Sequence, residues 1–143
     1  MANETSNQMK LEYINAFFAA GTYRIILMNM GFTFDLVAHS FLSVISANEL
    51  PAGNGYSTGG IVLSGKTIAK DDVNNRAFVS FNDISFTAAG GPIGPTPGAI
   101  IYKDTGIPST SPVVSWKGFN GDVTKTDGFS IQIQNIEERI NRV

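Results

Sequence analysis

The sequence predicts a mainly β protein, an antiparallel β-sandwich or barrel-like domain with one N-terminal helix. Three observations lead there. A single stretch repeats its apolar residues with a helical period, while short runs rich in Val, Ile and Phe recur along the rest of the chain. Clusters of Gly, Pro, Asn and Asp separate those runs, the punctuation of an all-β fold. With 143 residues, the chain is one domain's length, enough to bury roughly two-thirds of its unfolded surface.

Each element follows in order. Residues 1 to 8 are polar and read as a flexible arm, leaving residues 9 to 143 as a single sandwich domain. From Met9 to Ala20, Leu11, Ile14, Phe17 and Phe18 share a helical face, and Gly21 supplies the stop. Tyr23 to Met30 is apolar on both faces, as a buried strand is. Phe32 to Leu50 fits neither period and reads as an irregular connection with a short helical turn. Pro51 to Gly55 is a turn cluster, and a strand is expected over 60 to 70. Asp71 to Asn75 makes the next turn, followed by strands at 76 to 81 and 84 to 88. A Gly/Pro loop, Gly90 to Gly98, leads into a strand at 98 to 103, and a turn-rich link reaches another at 113 to 119. The last strand, Phe129 to Gln134, alternates, with Phe129, Ile131 and Ile133 expected to face inward.

Composition narrows the functions. Ten basic and twelve acidic residues give a net charge of −2, with no basic field to condense on nucleic acid. The absence of cysteine removes thiol nucleophiles, disulfides and thiolate metal sites, and fits assembly in a reducing cytoplasm. No apolar signal-like segment opens the sequence, and the longest strongly apolar stretch, Tyr23 to Met30, contains Arg24. Neither secretion nor membrane insertion is expected.

Several motifs imitate catalytic ones. Gly60-Ile-Val-Leu-Ser-Gly65-Lys66-Thr67 matches the phosphate-loop pattern letter for letter. That pattern requires a strand entering, a helix leaving and backbone N–H groups curled around phosphates. Ile61, Val62 and Leu63 favour extended structure instead, and no helical pattern follows Thr67. Asp104-Thr105-Gly106 matches the aspartic-protease triplet, but it follows Lys103 and opens a turn-rich link. His39, the one histidine, has neither a nucleophile elbow nor an obvious carboxylate partner in the sequence. Asp71, Asp72, Asn74 and Asn75 offer oxygen ligands without a calcium-loop pattern, so they read as a turn. Trp116, Phe119 and Tyr102 could stack on sugars if exposed, but period-2 spacing favours the core. No catalytic residue, cofactor or metal is therefore expected.

Read in order, the same motifs resemble a known family. The helix MKLEYINAFFAAG and the strand YRIILMNMGFTFD precede Asn48, Glu49, Gly55, Tyr56, Gly59, Gly60, Leu63, Gly65, Lys66 and Thr67. Ala99, Ile101, Tyr102, Asp104 and Thr105 follow, then Asp127, Gly128 and Phe129. This series, over residues 9 to about 136, resembles a family of tailed-phage virion proteins encoded in structural gene modules near the capsid genes. Trp116 and Lys117 depart from the family's small or acidic character, and the tail after Gln134 departs from its usual ending.

The resemblance implies a non-enzymatic structural protein on the capsid surface of the virion, assembled in the bacterial cytoplasm. A capsid cement or decoration protein is the favoured role; a tail, neck or baseplate protein and a surface carbohydrate-binding module are the alternatives. The implied partners are the major capsid protein and further copies of the chain, as a homo-oligomer and specifically a trimer. Neither nucleic acid nor membrane is among them. The interface candidates are Asn3, Thr5 and Asn7 in the arm, Gly91, Pro92 and Pro95 in the Gly/Pro loop, and Arg139 and Arg142 near the end.

Overall fold

The computed structural model describes residues 3–141. The fold is mainly antiparallel β with one long N-terminal helix, as the sequence predicts. Its elements are α1 (Asn7–Phe18), β1 (Thr22–Leu27), α2 (Leu42–Ile45), β2 (Ile61–Val62), β3 (Thr67–Asp71) and β4 (Arg76–Phe81). Then come β5 (Ile84–Thr87), β6 (Ile93–Asp104), β7 (Val113–Lys125), β8 (Ser130–Ile133) and β9 (Ile136–Ile140). They gather into two compact units, one holding α1, β3, β4 and β9, the other holding the rest. Neither unit is continuous in sequence.

In the first unit the sheet order is β3-β4-β9. The Asp71 carboxylate accepts from the backbone N–H of Val73 and Asn74, each at 3.1 Å, closing the predicted turn between β3 and β4. Asn75 takes the left-handed conformation there, at φ 53°, one that Asn tolerates better than most residues. Ile14 and Phe18 are the buried apolar residues of α1, and Phe18 meets Phe81 of β4 edge-on at 6.2 Å. Lys10 is buried too, its ammonium donating to the Asn75 carbonyl at 2.6 Å. A buried cation needs such an acceptor.

The helix begins before Met9 because Ser6 caps it, its hydroxyl accepting from the Met9 N–H at 3.2 Å. The expected arm of residues 1 to 8 therefore loses Asn7 and Gln8 to the helix.

In the second unit a four-stranded sheet runs β2-β1-β6-β7, and β5 pairs with β8. Residues from β1 and β6 (Ile26, Ile100, Tyr102) pack with Met28, Phe32 and Ile45 in a buried cluster. Each such aliphatic side chain contributes about 1.5–3 kcal/mol by leaving water. Of the expected buried strand Tyr23 to Met30, β1 forms only to Leu27 and Met30 is 64% exposed, while Phe32 to Leu50 is irregular with a short helical turn, as expected.

Four further expectations change. The 60-to-70 strand is interrupted: β2 ends at Val62 and β3 starts at Thr67, with Gly65 at φ 67° between them. The Gly90–Gly98 loop is largely strand, because β6 accommodates Pro95 and Pro97 at register shifts between Ile93, Thr96 and Gly98. Proline lacks the N–H a regular ladder requires but fits at such irregularities. Phe129 precedes β8 and is 65% exposed, so only Ile131 and Ile133 of that alternation face inward. The tail after Gln134 forms β9, pairing Ile136 with Phe81 and Ile140 with Ala77.

Candidate interaction surface

The residues that imitate catalytic motifs are engaged in holding the chain. Lys66 donates its ammonium to the carbonyls of Phe18 and Ala19, at the C-terminal end of α1. This places positive charge where a helix leaves carbonyls without partners. A strand, not a helix, leaves Thr67. A Cβ at Gly60 would lie 1.9 Å from the Ile25 carbonyl oxygen, so this glycine serves close backbone packing.

Asp104 accepts from Arg24 Nε at 2.8 Å with one oxygen and from the Gly106 N–H at 2.8 Å with the other. Asp104 ends β6, and its carboxylate closes the bend that follows it. His39 Nδ1 accepts from the Asp35 N–H at 2.9 Å, and its ring stacks on Phe32 at 5.2 Å. Among the described residues no group of three or more His, Cys, Asp and Glu could hold a metal ion. No helix among them is long and apolar enough to cross a membrane.

Three tyrosines are perturbed, Tyr23 by burial alone. Burial, then a hydrogen bond to Glu49, raises the pKa of the Tyr56 phenol far above the usual tyrosine range. Its hydroxyl donates to Glu49 Oε1 at 2.7 Å and accepts from the Leu27 N–H at 3.1 Å. The same carboxylate oxygen accepts from the Gly59 N–H at 2.7 Å, tying the segment down at three points. Tyr102 is pushed up to about 12, first by burial and then by the negative charge of Asp104.

Tyr102 is buried, so it offers no sugar platform. Trp116 is half-buried among Phe32, at 5.4 Å, and Phe34, stacked at 6.4 Å. Its indole crosses the facing pair Gly98 and Gly118, where any added Cβ would meet the ring. Trp116 thus fills the gap that two glycines leave in the sheet.

The proposed interface residues are scattered. Asn3 is exposed and Thr5 half-buried. Asn7 opens α1 and donates to the carboxylate of Asp72 at 2.9 Å, so it is tied to the β3–β4 turn. Gly91 is half-buried and Pro92 exposed, the Pro92 carbonyl accepting from Asn54 Nδ2 at 2.9 Å. Pro95 is exposed within β6. Arg139 is exposed on β9 and paired with Glu137 at 2.7 Å. Arg142 lies outside the described residues.

A different surface stands out, one the sequence did not mark. Leu36 is 87% and Val37 86% exposed, at the tip of a turn braced from within. Asp35 Oδ1 accepts from the N–H groups of Val37 at 2.8 Å and Ala38 at 2.9 Å. The Asp35 carbonyl accepts from the His39 N–H at 3.0 Å. Those two amide bonds hold the Asp35 carboxyl below its ordinary pKa. Phe34 and His39 form the base of the turn, their rings 5.8 Å apart. Phe41 and Val44 add further exposed apolar area along the same segment. The one available signal was a run from Leu36 to Asn48 with many apolar residues and no formal charge.

No family model matches the chain, and neither the curated proteins nor the solved structures provide a match.

Proposed function

We propose that this chain is a non-enzymatic structural protein of a bacteriophage virion, a cement or decoration protein that binds the major capsid protein lattice and further copies of itself. Support comes from the ordered motif series over residues 9 to about 136. One observation carries the non-catalytic part of the reading. Lys66, Asp104 and His39, the groups a catalytic reading would use, are bonded to backbone or to a structural arginine. A repeated lattice suits weak contacts, because symmetry multiplies each of them.

Quantitative mass spectrometry of purified particles tests the role. A cement protein is present at a level near that of the major capsid protein. A few to a few dozen copies per particle would move it to the tail, neck or baseplate, and its absence would end the assignment.

A further inference from the structure

We propose that Asn120 is a site of spontaneous covalent modification, its side-chain amide converting to a carboxylate through a cyclic imide formed with Gly121. The chain carries two Asn-Gly pairs, Asn54-Gly55 and Asn120-Gly121. Such a pair is prone to this reaction because glycine leaves the attacking nitrogen unshielded and its backbone free to turn. Both asparagines are exposed, and both hold the left-handed conformation, at φ 54° and φ 58°. Their surroundings differ.

Asn54 is clamped. Its Nδ2 donates to the Pro92 carbonyl at 2.9 Å, and its own carbonyl accepts from the Ala89 N–H at 3.0 Å. Gly53 and Tyr56 exchange backbone hydrogen bonds of 2.8 and 3.0 Å across the pair. A Cβ at Gly55 would lie 2.2 Å from the Thr87 carbonyl oxygen, so this glycine is packed against its neighbours and has no room to swing. The Gly55 nitrogen reaches Cγ of Asn54 only after the loop opens locally, at a cost in free energy.

Asn120 lies at a break in the ladder. Between the paired positions Gly98↔Gly118 and Thr96↔Val123, β6 has only Pro97, while β7 has Phe119, Asn120, Gly121 and Asp122. Pro97 has no N–H to give, and among the described residues no register pair holds Asn120 or Gly121. Gly121 is exposed at φ 128°, with nothing within 4 Å of where a Cβ would stand. The surplus backbone of this bulge can turn without dismantling the flanking pairs.

In the reaction the Gly121 amide nitrogen attacks Cγ of Asn120, and a C–N bond forms. The Cγ–Nδ2 bond breaks, and the amide group leaves as ammonia with the proton that the Gly121 nitrogen gives up. Water then opens the imide ring at either carbonyl, leaving an aspartyl or an isoaspartyl linkage at position 120. No oxidant or reductant takes part. A negative charge joins that of Asp122 in the bulge, and the net charge passes from −2 to −3, one neutral amide having become one carboxylate.

Peptide mapping of the folded full chain, after prolonged incubation at mildly alkaline pH, tests it. Trypsin places Asn120 in the peptide Gly118–Lys125 and Asn54 in Ile25–Lys66. The shorter peptide should resolve into its parent and two heavier products, the aspartyl and isoaspartyl forms. Asn120 should convert at least about tenfold faster than Asn54. In concentrated urea the two should convert at similar rates, because the fold alone separates them. An Asn120 that stays intact in the folded chain, an Asn54 that converts as fast, or a difference that persists in urea would each overturn the proposal.

Discussion

Two irregular segments of the second unit use the same device to opposite ends. In the segment from Glu49 to Gly60, one carboxylate oxygen accepts from the Tyr56 hydroxyl and the Gly59 N–H, and the loop is drawn in against β1. In the segment from Asp35 to His39, one carboxylate oxygen accepts from two successive N–H groups, and the loop is held outward. The first contains the buried Tyr56, the second the exposed Leu36 and Val37. A loop's rigidity therefore says nothing about its destination. What differs is whether its apolar side chains find partners in the same chain.

Substitutions should separate the two loops by size of effect. The largest is expected for Gly60→Ala, whose new methyl would overlap the Ile25 carbonyl in a left-handed backbone, φ 62°. Clash and strain together should remove about 3 kcal/mol, measured by urea unfolding. Tyr56→Phe should cost about 2 kcal/mol, since it strips a partner from the buried Leu27 N–H and from Glu49.

The Tyr56 phenol has a folded pKa raised above its ordinary 10.0. Its contribution is full below pH 10 and declines as pH rises beyond it, because the unfolded chain ionises first. Alkaline unfolding of Tyr56→Phe should lack that component.

Asp35 works in the opposite sense. Its folded pKa lies below its ordinary value, so its contribution is present above that value and fades as pH falls through the folded pKa. A carboxyl-carbon NMR titration should find its midpoint below that of an unstructured Asp, and Asp35→Asn should abolish the acid dependence of the turn's amide shifts. The smallest effect is expected for Leu36→Ser, within roughly 0.5 kcal/mol of wild type in the same urea assay. A large loss there would show that the tip is packed, and the contrast between the two loops would fail.

Where the chain follows one period, the sequence was readable. The helical period of α1 and the apolar run of β1 could both be seen in side-chain spacing. Misreadings arose where tertiary context overrides local pattern. Pro95 and Pro97 signal a loop until β7 supplies a partner strand that tolerates shifted register. Phe129 continues an alternation by letter but falls on the turn before β8, where its N–H bonds to the Thr126 carbonyl. Ile136 and Ile140 looked like a tail because their pairing partner, β4, lies more than fifty residues earlier. No linker marks the division into two units, because each draws on distant stretches of chain. The exposed tip was illegible for a related reason: an apolar residue in an aperiodic segment reads equally as core or as surface.

The sheet of the first unit joins β3 and β4, which are close neighbours in sequence, to β9, which comes much later. On the ribosome, β4 emerges with one edge empty and must wait for some sixty further residues before Ile136–Ile140 is available to cover it. The β3–β4 hairpin can close early through its Asp71 turn, whereas the finished sheet must wait until β9 has emerged. During that interval a chaperone, or a neighbouring nascent chain, would find an open strand edge.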